Sequence, residues 1–344
     1  MEQKVRFAII GAGRIGQVHA ENLTRHIQEA EVVAIADVVK EAAEQTARRF
    51  GIAQASGEPE EVFGREDVDA VAICSSTETH ADFIIQAARA GKHAFCEKPI
   101  ALDLPAVDAA LAAVAESGTK LQIGFNRRFD PNFRNIRDAV RSGEVGTPYL
   151  VQITSRDPAP PPLSYIRGSG GLFLDMMIHD FDMARFLLDD EVEEVSASGA
   201  VRVDPAIGEA GDIDTAVVTL RYVCGALGVI TNSRQAVYGG DQRVEVLGSL
   251  GSIMCENNTP DRVIRQTEAG VVHAKPLYFF LERYMAAYAD ELRSFIGAVR
   301  DDTEVEVTGR DGRAPVALAL AAGRSYRENR AIALSEISPS ESPS

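Results

Sequence analysis

A glycine-rich turn between a strand and a helix constrains the fold of this chain more than any other feature of its sequence. The apolar run VRFAII (residues 5–10) predicts a buried strand, and it stops at GAGRIG, before a segment of helix-forming composition (residues 17–25). In the pattern G-x-G-x-x-G, Gly11 permits the tight turn, Gly13 lets a pyrophosphate approach the backbone, and Gly16 allows close packing of helix and strand. The turn therefore predicts a dinucleotide-binding α/β domain, with the N–H groups of the helix N-terminus facing the phosphates.

An acidic residue follows the second predicted strand, EVVAIAD. Asp37 lies about 20 residues beyond the turn, the spacing at which a carboxylate accepts hydrogen bonds from the adenosine ribose. Val38 and Val39 come next, and no arginine is present there to bind the 2′-phosphate of NADP. The pattern favours a dinucleotide site over an ordinary βαβ turn, and it favours NAD over NADP. We expect the cofactor to contact Gly11, Ala12, Gly13, Arg14, Ile15, Gly16 and Asp37.

The composition limits the class of protein. The 344 residues are enough for two domains, and 45% of them are hydrophobic, as is usual in globular proteins. The net charge of −16, with no basic run to offset it, disfavours binding to nucleic acid or to an anionic membrane. The absence of an apolar leader or of a run long enough to span a membrane favours the cytoplasm. Isolated cysteines, without a C-x-x-C pair, indicate free thiols and no structural metal: Cys74, Cys96, Cys224 and Cys255.

Strands and helices alternate as far as about residue 126, which predicts a doubly wound parallel sheet. Ligands of such sheets bind at the carboxyl ends of the strands. We therefore expect polar residues that follow the strands at 68–75 and 92–96, with one histidine of the next helix, to lie near the dinucleotide: Ser75, Ser76, Thr77, His80, Glu97 and Lys98. For His19 and His80, a role as simple caps is the alternative to a place beside the cofactor.

The pattern changes in the second half of the chain. Several strand-like runs between residues 194 and 255 follow one another without helices between them. Such runs predict a large, mostly antiparallel sheet and hence a second domain of the α+β class. We expect an NAD-binding domain over residues 1–125, a substrate-binding and oligomerisation domain over 126–337, and a loose Ser/Pro-rich tail over 338–344.

Lys98 occupies a position suited to catalysis. It follows the fourth predicted strand within the sequence Glu97-Lys98-Pro99, at the ligand-binding edge of the sheet. An ammonium group there can donate to a substrate hydroxyl and stabilise a developing alkoxide. Neighbouring cations would lower its pKa and let it exchange protons. A solvated surface lysine beside a turn proline is the alternative.

A polar stripe interrupts an otherwise apolar helix, predicted as one continuous element over residues 170–188. Asp175, His179 and Asp182 are spaced i, i+4 and i+7, so they share one face. Buried polar groups need partners, and the stripe is expected to line a wet cleft. His179 is suited to be a general base, and Asp175 to orient it or to bind a substrate hydroxyl. The alternatives are an Asp–His pair satisfied within the core, or two metal ligands that lack an evident third.

Together these motifs resemble the glucose–fructose oxidoreductase/inositol dehydrogenase family. The resemblance runs from Val5 to about Arg327 and rests on GAGRIG, Asp37, CEKP (residues 96–99), GFNRRFD (124–130) and GG-x3-D-x3-HD-x-D-x2-R (170–185). Within the family, GFNRRFDP, SRDP (155–158) and NSRQAVYGGDQR (232–243) are most similar to the bacterial inositol 2-dehydrogenase branch.

The resemblance implies oxidation of a ring hydroxyl of myo-inositol to 2-keto-myo-inositol, with Lys98, Asp175 and His179 as the catalytic trio. It also implies a homotetramer formed through the open face of the second sheet. Further residues in loops or apolar surroundings are candidates to bind the other hydroxyls, with turn or surface roles as the alternative: Arg127, Asp157 and Tyr238. Ser155 stands where some inositol enzymes carry histidine, which leaves the preferred stereoisomer open.

Two other functions remain open from the sequence. One is a different cyclitol or sugar dehydrogenase of the same family, acting on scyllo-inositol or an aldose. The other is a catalytically silent, nucleotide-sensing regulator, against which the intact trio Lys98, Asp175 and His179 argues.

Overall fold

The computed structural model describes residues 4–343, which form two compact units. The first unit holds the residues up to Phe129, the segment Met285–Val316 and the residues from Pro339 onward. The second unit holds Asp130–Tyr284 and Ala317–Ser338. No helix in this described part of the chain is both long and apolar enough to cross a membrane.

The first unit begins with alternating strands and helices. In chain order these are β1 (Val5–Ile10), α1 (Arg14–Glu21), β2 (Ala30–Ala36), α2 (Lys40–Phe50), β3 (Gln54–Ser56), β4 (Ala70–Ile73), α3 (Thr77–Arg89), β5 (His93–Glu97), α4 (Leu104–Ser117) and β6 (Leu121–Gly124).

These strands form one six-stranded parallel sheet in the order β3-β2-β1-β4-β5-β6. Every residue of β4 is buried, as expected for a central strand of a sheet that is covered on both faces. The connections run in opposite directions on either side of the β1–β4 pair, which is where doubly wound sheets bind their ligands. The predicted parallel, doubly wound domain is confirmed.

The second unit contains α5 (Pro131–Arg141), β7 (Pro148–Arg156), α6 (Leu163–Ile166), α7 (Gly171–Asp175), α8 (Ile178–Leu188), β8 (Val192–Ala200), α9 (Pro205–Glu209), β9 (Thr215–Tyr222), β10 (Leu227–Ser233), β11 (Asp241–Gly248), β12 (Gly251–Cys255), β13 (Ile264–Thr267) and β14 (Gly270–His273). The chain then continues through α10 (Phe280–Asp301), α11 (Gly309–Glu328) and β15 (Ile332–Ala333).

A seven-stranded sheet dominates the second unit, in the order β12-β11-β7-β10-β9-β8-β15. All neighbouring strands in it are antiparallel except β7 and β10, so the predicted mostly antiparallel sheet is confirmed. Buried and exposed residues alternate along β9 from Ala216 to Tyr222. One face of this strand is therefore packed and the other is open.

The two units do not follow the predicted division at residues 125 and 337. The expectation that 126–337 is one domain is wrong because most of α10 packs with the first unit. Leu292, Phe295 and Ile296 belong to the same apolar core as Phe7 of β1. The rings of Phe295 and Phe7 meet edge to face, with centroids 6.1 Å apart.

The end of the chain also differs from its prediction as a loose tail over 338–344. The N–H of Leu104, at the start of α4, donates to the carbonyl of Glu341 over 3.2 Å. The described residues from Pro339 onward accordingly pack with the first unit, while Ser344 lies outside the described residues.

The predicted continuous helix over 170–188 is wrong, because α7 ends at Asp175 and α8 begins at Ile178. The N–H groups of Met176 and Met177 both bond to the carbonyl of Leu172, over 3.2 and 2.9 Å. A bond to the fifth preceding residue widens the helical turn at this point. The local sequence LDMMIH contains neither glycine nor proline, so its composition did not indicate the break.

Candidate active site

The glycine turn after β1 has the geometry that its spacing predicts. Gly11 has φ +103°, and a Cβ there would lie 2.5 Å from the carbonyl oxygen of Cys74. A Cβ on Gly16 would collide with the carbonyl of Gly11. One on Gly13 would meet no atom of the described residues within 4 Å, apart from its chain neighbours. The protein's own packing thus requires the first and third glycines. The space beside Gly13 is open to a ligand, as a pyrophosphate requires.

Asp37 holds the glycine turn against the end of β2. Its Oδ2 accepts from the N–H of Ala12 over 2.7 Å, and its Oδ1 accepts from the N–H of Val39 over 2.8 Å. Each carboxylate oxygen retains capacity for a second hydrogen bond. Among residues 4–343, no side chain caps the N-terminus of α1, which begins at Arg14. The turn therefore fits the pyrophosphate and ribose of a dinucleotide.

We expect Asp37→Ala to weaken NAD binding by about 1–3 kcal/mol, because it removes a charged acceptor for the ribose and releases the Ala12 N–H. NADP should lose less affinity, because repulsion of its 2′-phosphate disappears. Fluorescence titration with NAD and with NADP measures the ratio of the two dissociation constants. Glu44→Ala, on the exposed side of α2, is the control. Wild-type protein that binds NADP as tightly as NAD would contradict the role of Asp37.

His80 joins the ends of two neighbouring strands. Its Nδ1 lies 2.7 Å from the carbonyl oxygen of Pro99, and its Nε2 lies 3.0 Å from that of Ser75. The ring is buried; burial lowers the pKa of His80, while the two hydrogen bonds oppose that shift. The side chain therefore fixes the backbone at the ends of β4 and β5.

The residues around this link belong to the ligand edge of the sheet. The Ser75 and Thr79 hydroxyls are 2.7 Å apart, and Ser76 occupies the N-cap position of α3, which begins at Thr77. Lys98 directly follows β5 and is half-buried. Its position at the carboxyl end of a central strand is the one expected from the sequence.

Asp175 and His179 differ in exposure from the residues around them. All residues from Leu172 to Leu187 are buried except Asp175 and His179, which are partly exposed. The break between α7 and α8 therefore leaves them both accessible. Asp182, the third member of the predicted stripe, is completely buried and is not accessible with the other two.

A buried arginine that the sequence analysis did not identify holds Asp175. Arg234 is 1% exposed; its Nη1 lies 3.3 Å from Oδ2 of Asp175, and its Nη2 lies 3.2 Å from Oδ2 of Asp212. Asp212 accepts from the N–H of Leu172 in α7, and the Tyr165 hydroxyl donates to Oδ1 of Asp175 over 2.8 Å. The carboxylate of Asp175 is therefore fixed from two sides. The sequence did carry a sign that Arg234 is a site residue, since it directly follows the strand β10.

Removing the guanidinium group of Arg234 should destabilise the folded protein. We expect Arg234→Met to lower the free energy of unfolding by about 3–5 kcal/mol, because two poorly exposed carboxylates lose their shared cation. The exposed pair of Arg221 with Glu194 gives the control: Arg221→Met should cost about 1 kcal/mol or less. Urea unfolding measures both variants. Equal losses would show that Arg234 adds nothing beyond a surface ion pair.

Of the three candidates for binding substrate hydroxyls, two lie in neighbouring loops. The carbonyl of Asp157 accepts from the N–H of Ala236 over 2.6 Å, two residues before Tyr238. The Tyr238 hydroxyl accepts from Arg156 and donates to Asp241 over 2.6 Å; burial and this last bond raise the pKa of Tyr238. Arg127 is a buried residue of the first unit. Substrate contacts by all three stay predictions.

Two profiles of one protein family match the chain. Residues 5–125 match the profile described as oxidoreductase family, NAD-binding Rossmann fold. Residues 133–254 match the GFO/IDH/MocA C-terminal domain. The two matches correspond to the parallel sheet of the first unit and to most of the large sheet of the second.

Individual relatives are similar over nearly their whole length. Myo-inositol 2-dehydrogenase of Thermotoga maritima is 49% identical over 97% of this chain and 99% of that protein. Inositol 2-dehydrogenase of Rhizobium meliloti is 48% identical over 96% of this chain and 99% of that protein. A crystal structure of scyllo-inositol dehydrogenase from Lactobacillus casei with bound NAD(H) and scyllo-inositol has a TM-score of 0.91 at 29% identity, covering 97% of this chain and 100% of that one.

Proposed function

Because the chain belongs to the GFO/IDH/MocA family of oxidoreductases with an NAD-binding Rossmann fold, we propose that it is an NAD-dependent inositol 2-dehydrogenase. It oxidises myo-inositol to 2-keto-myo-inositol. The observation that carries the proposal is the partly exposed pair Asp175 and His179 on an otherwise buried segment. The identity of 49% to a myo-inositol 2-dehydrogenase supports the choice of substrate.

The proposal assigns one role to each of three residues. His179 takes the proton of the reacting hydroxyl, as an imidazole can near neutral pH. Lys98 donates to the same oxygen and stabilises the developing alkoxide. Asp175, fixed by Tyr165 and Arg234, orients His179 or binds a neighbouring hydroxyl. NAD, when bound, accepts the hydride.

The binding of the remaining hydroxyls is proposed for Arg127, Asp157 and Tyr238. The hydroxyl of Tyr238 is held by Arg156 and Asp241, which gives it a fixed direction. Ser155 is completely buried in β7, so it offers no exposed hydroxyl of its own. The stereoisomer is therefore expected to depend on the loop residues.

A panel of polyols tests the function. Purified protein is mixed with NAD or NADP and with myo-inositol, scyllo-inositol or aldoses, and NADH absorbance is followed. Oxidation of myo-inositol with NAD, at the highest kcat/KM of the panel, is expected. A clear preference for scyllo-inositol or an aldose would favour the other dehydrogenase function. Tight NAD binding without turnover of any polyol would favour the regulator.

A homotetramer in the cytoplasm completes the proposal. Large apolar side chains are exposed on strands of the second sheet: Tyr149, Val217, Leu227, Leu247 and Met254. Exposed apolar side chains on neighbouring strands of one sheet support association with further copies of the chain. Four free cysteines are compatible with a reducing compartment. The mass in solution, measured by sedimentation, tests the tetramer.

A further inference from the structure

Three ionisable side chains meet in the interior of the first unit, and the proposed reaction uses none of them directly. His19 of α1, Glu97 of β5 and Glu291 of α10 place potential ligand atoms within 4.8 Å of one another. They are 0%, 8% and 0% exposed. Nε2 of His19 lies 2.7 Å from Oε1 of Glu97. Within the described residues, neither carboxyl oxygen of Glu291 has a hydrogen-bond partner.

Such a group could hold a metal ion or a proton, and the geometry favours the proton. The His19–Glu97 separation of 2.7 Å is that of a charge-assisted hydrogen bond, which occupies both ligand atoms. The rings of Phe95 and Tyr288 lie against His19, with centroids at 5.1 and 5.7 Å. A metal ion bound by His19 and Glu97 would have to replace their hydrogen bond, so the geometry fits a shared proton better.

We propose that Glu291 is a neutral carboxylic acid at neutral pH and that the cluster of His19, Glu97 and Glu291 is a positioning group for Lys98. Two buried carboxylates this close would repel each other in a medium of low dielectric constant, and within the described residues only Glu97 has a hydrogen-bonded histidine partner. The part concerning Lys98 rests on the proposed function.

The surroundings of Glu291 agree with a neutral form. Burial raises the pKa of Glu291 well above its ordinary value, and the charge of Glu97 adds to that shift. The thiol of Cys74 lies near both carboxyl groups, and that of Cys96 lies near Glu97. Burial raises the pKa of both thiols, so they stay uncharged. The basic side chain of the cluster is that of His19, whose Nε2 lies 2.7 Å from Oε1 of Glu97.

Glu97 connects the cluster to the ligand-binding edge of the sheet. A Cβ on Gly124 of the neighbouring strand would lie 3.2 Å from the Glu97 carboxyl group, so this side chain is closely packed as well as hydrogen-bonded. Glu97 ends β5 and Lys98 is the next residue. A fixed Glu97 side chain therefore fixes the backbone from which Lys98 extends.

Infrared spectroscopy tests the neutral acid without any substrate. We expect wild-type protein at neutral pH to show the carbonyl band of a protonated, buried carboxyl group. Glu291→Gln should remove that band, while Asp290→Asn, an exposed neighbour on α10, should keep it. No such band, a band that survives Glu291→Gln, or a stoichiometric divalent cation in purified protein would overturn the proposal.

The stability of the same variants gives a second readout. A folded-state pKa above the unfolded value means that unfolding releases a proton, so the contribution of Glu291 to wild-type stability is lost as pH rises from about 4.3 through the folded pKa. Glu291→Gln has no such proton. We therefore compare the folding equilibrium constant of Glu291→Gln with that of wild type. The ratio of the variant's constant to the wild-type constant should grow by up to about tenfold per pH unit, until the pH reaches the folded-state pKa of Glu291. A ratio independent of pH would overturn the proposal.

Steady-state kinetics test the positioning of Lys98. Glu97→Gln should lower kcat at least about tenfold, with KM for the polyol unchanged. Glu291→Gln, which keeps a neutral side chain of the same shape, should keep kcat within about twofold. If Glu97→Gln keeps kcat while Lys98→Met loses it, the positioning role is overturned and the proposed function stands. If Lys98→Met stays active, Lys98 has no catalytic role for the cluster to support. If wild-type protein oxidises no polyol, the proposed function fails, and the infrared result still decides the state of Glu291.

Discussion

Lys98→Met is expected to reduce kcat for polyol oxidation by about 10²–10³-fold, equivalent to about 2.7–4 kcal/mol of transition-state stabilisation. Methionine approximates the length of lysine but carries no donor, so the developing alkoxide loses its charged partner. NAD binding should remain, because the glycine turn and Asp37 are untouched. Initial rates and NAD titration by fluorescence separate the two effects.

Lys92→Met provides the matched control. Lys92 precedes the opposite end of β5 and donates to the carbonyls of Arg65 and Val68 over 2.7 and 2.8 Å. Its loss should lower stability by about 1–3 kcal/mol and leave kcat unchanged. If Lys98→Met keeps kcat within tenfold of wild type, or loses only stability as Lys92→Met does, Lys98 is a structural residue.

The features predicted correctly from the sequence have local causes. The roles of Gly11 and Gly16 follow from their spacing, and the clashes of added Cβ atoms agree with them. The strand-end positions of Asp37 and Lys98 follow from the alternation of strands and helices. In each case the residues concerned lie within one βα unit, so a pattern over a few tens of residues was sufficient.

The features missed depend on contacts between distant parts of the sequence. Arg234 meets Asp175 although 59 residues separate them. Glu291 reaches His19 and Glu97 only because α10 packs against the first sheet, which no periodicity near residue 291 indicates. Residue types alone could suggest these groups but could not pair them. The break before Ile178 also had no local signal, since LDMMIH contains neither glycine nor proline.

His179→Ala is expected to lower kcat/KM by about 10²–10⁴-fold, because it removes the proposed general base. The wild-type log kcat/KM should rise with pH through the neutral range, where imidazoles titrate, and then level off. The variant should lose this rising limb and still bind NAD. His273→Ala, an exposed histidine of β14, is the control and should keep both the rate and the profile.

Asp175→Asn separates orientation from proton transfer. The amide can still accept from Tyr165, but it loses the charge that pairs with Arg234. The variant should therefore keep part of the activity and the rising limb, whereas His179→Ala should lose both. If His179→Ala keeps the limb, another residue takes the proton, and Lys98 becomes the first candidate. The double variant of Lys98 and His179 would then show no more loss than Lys98→Met alone.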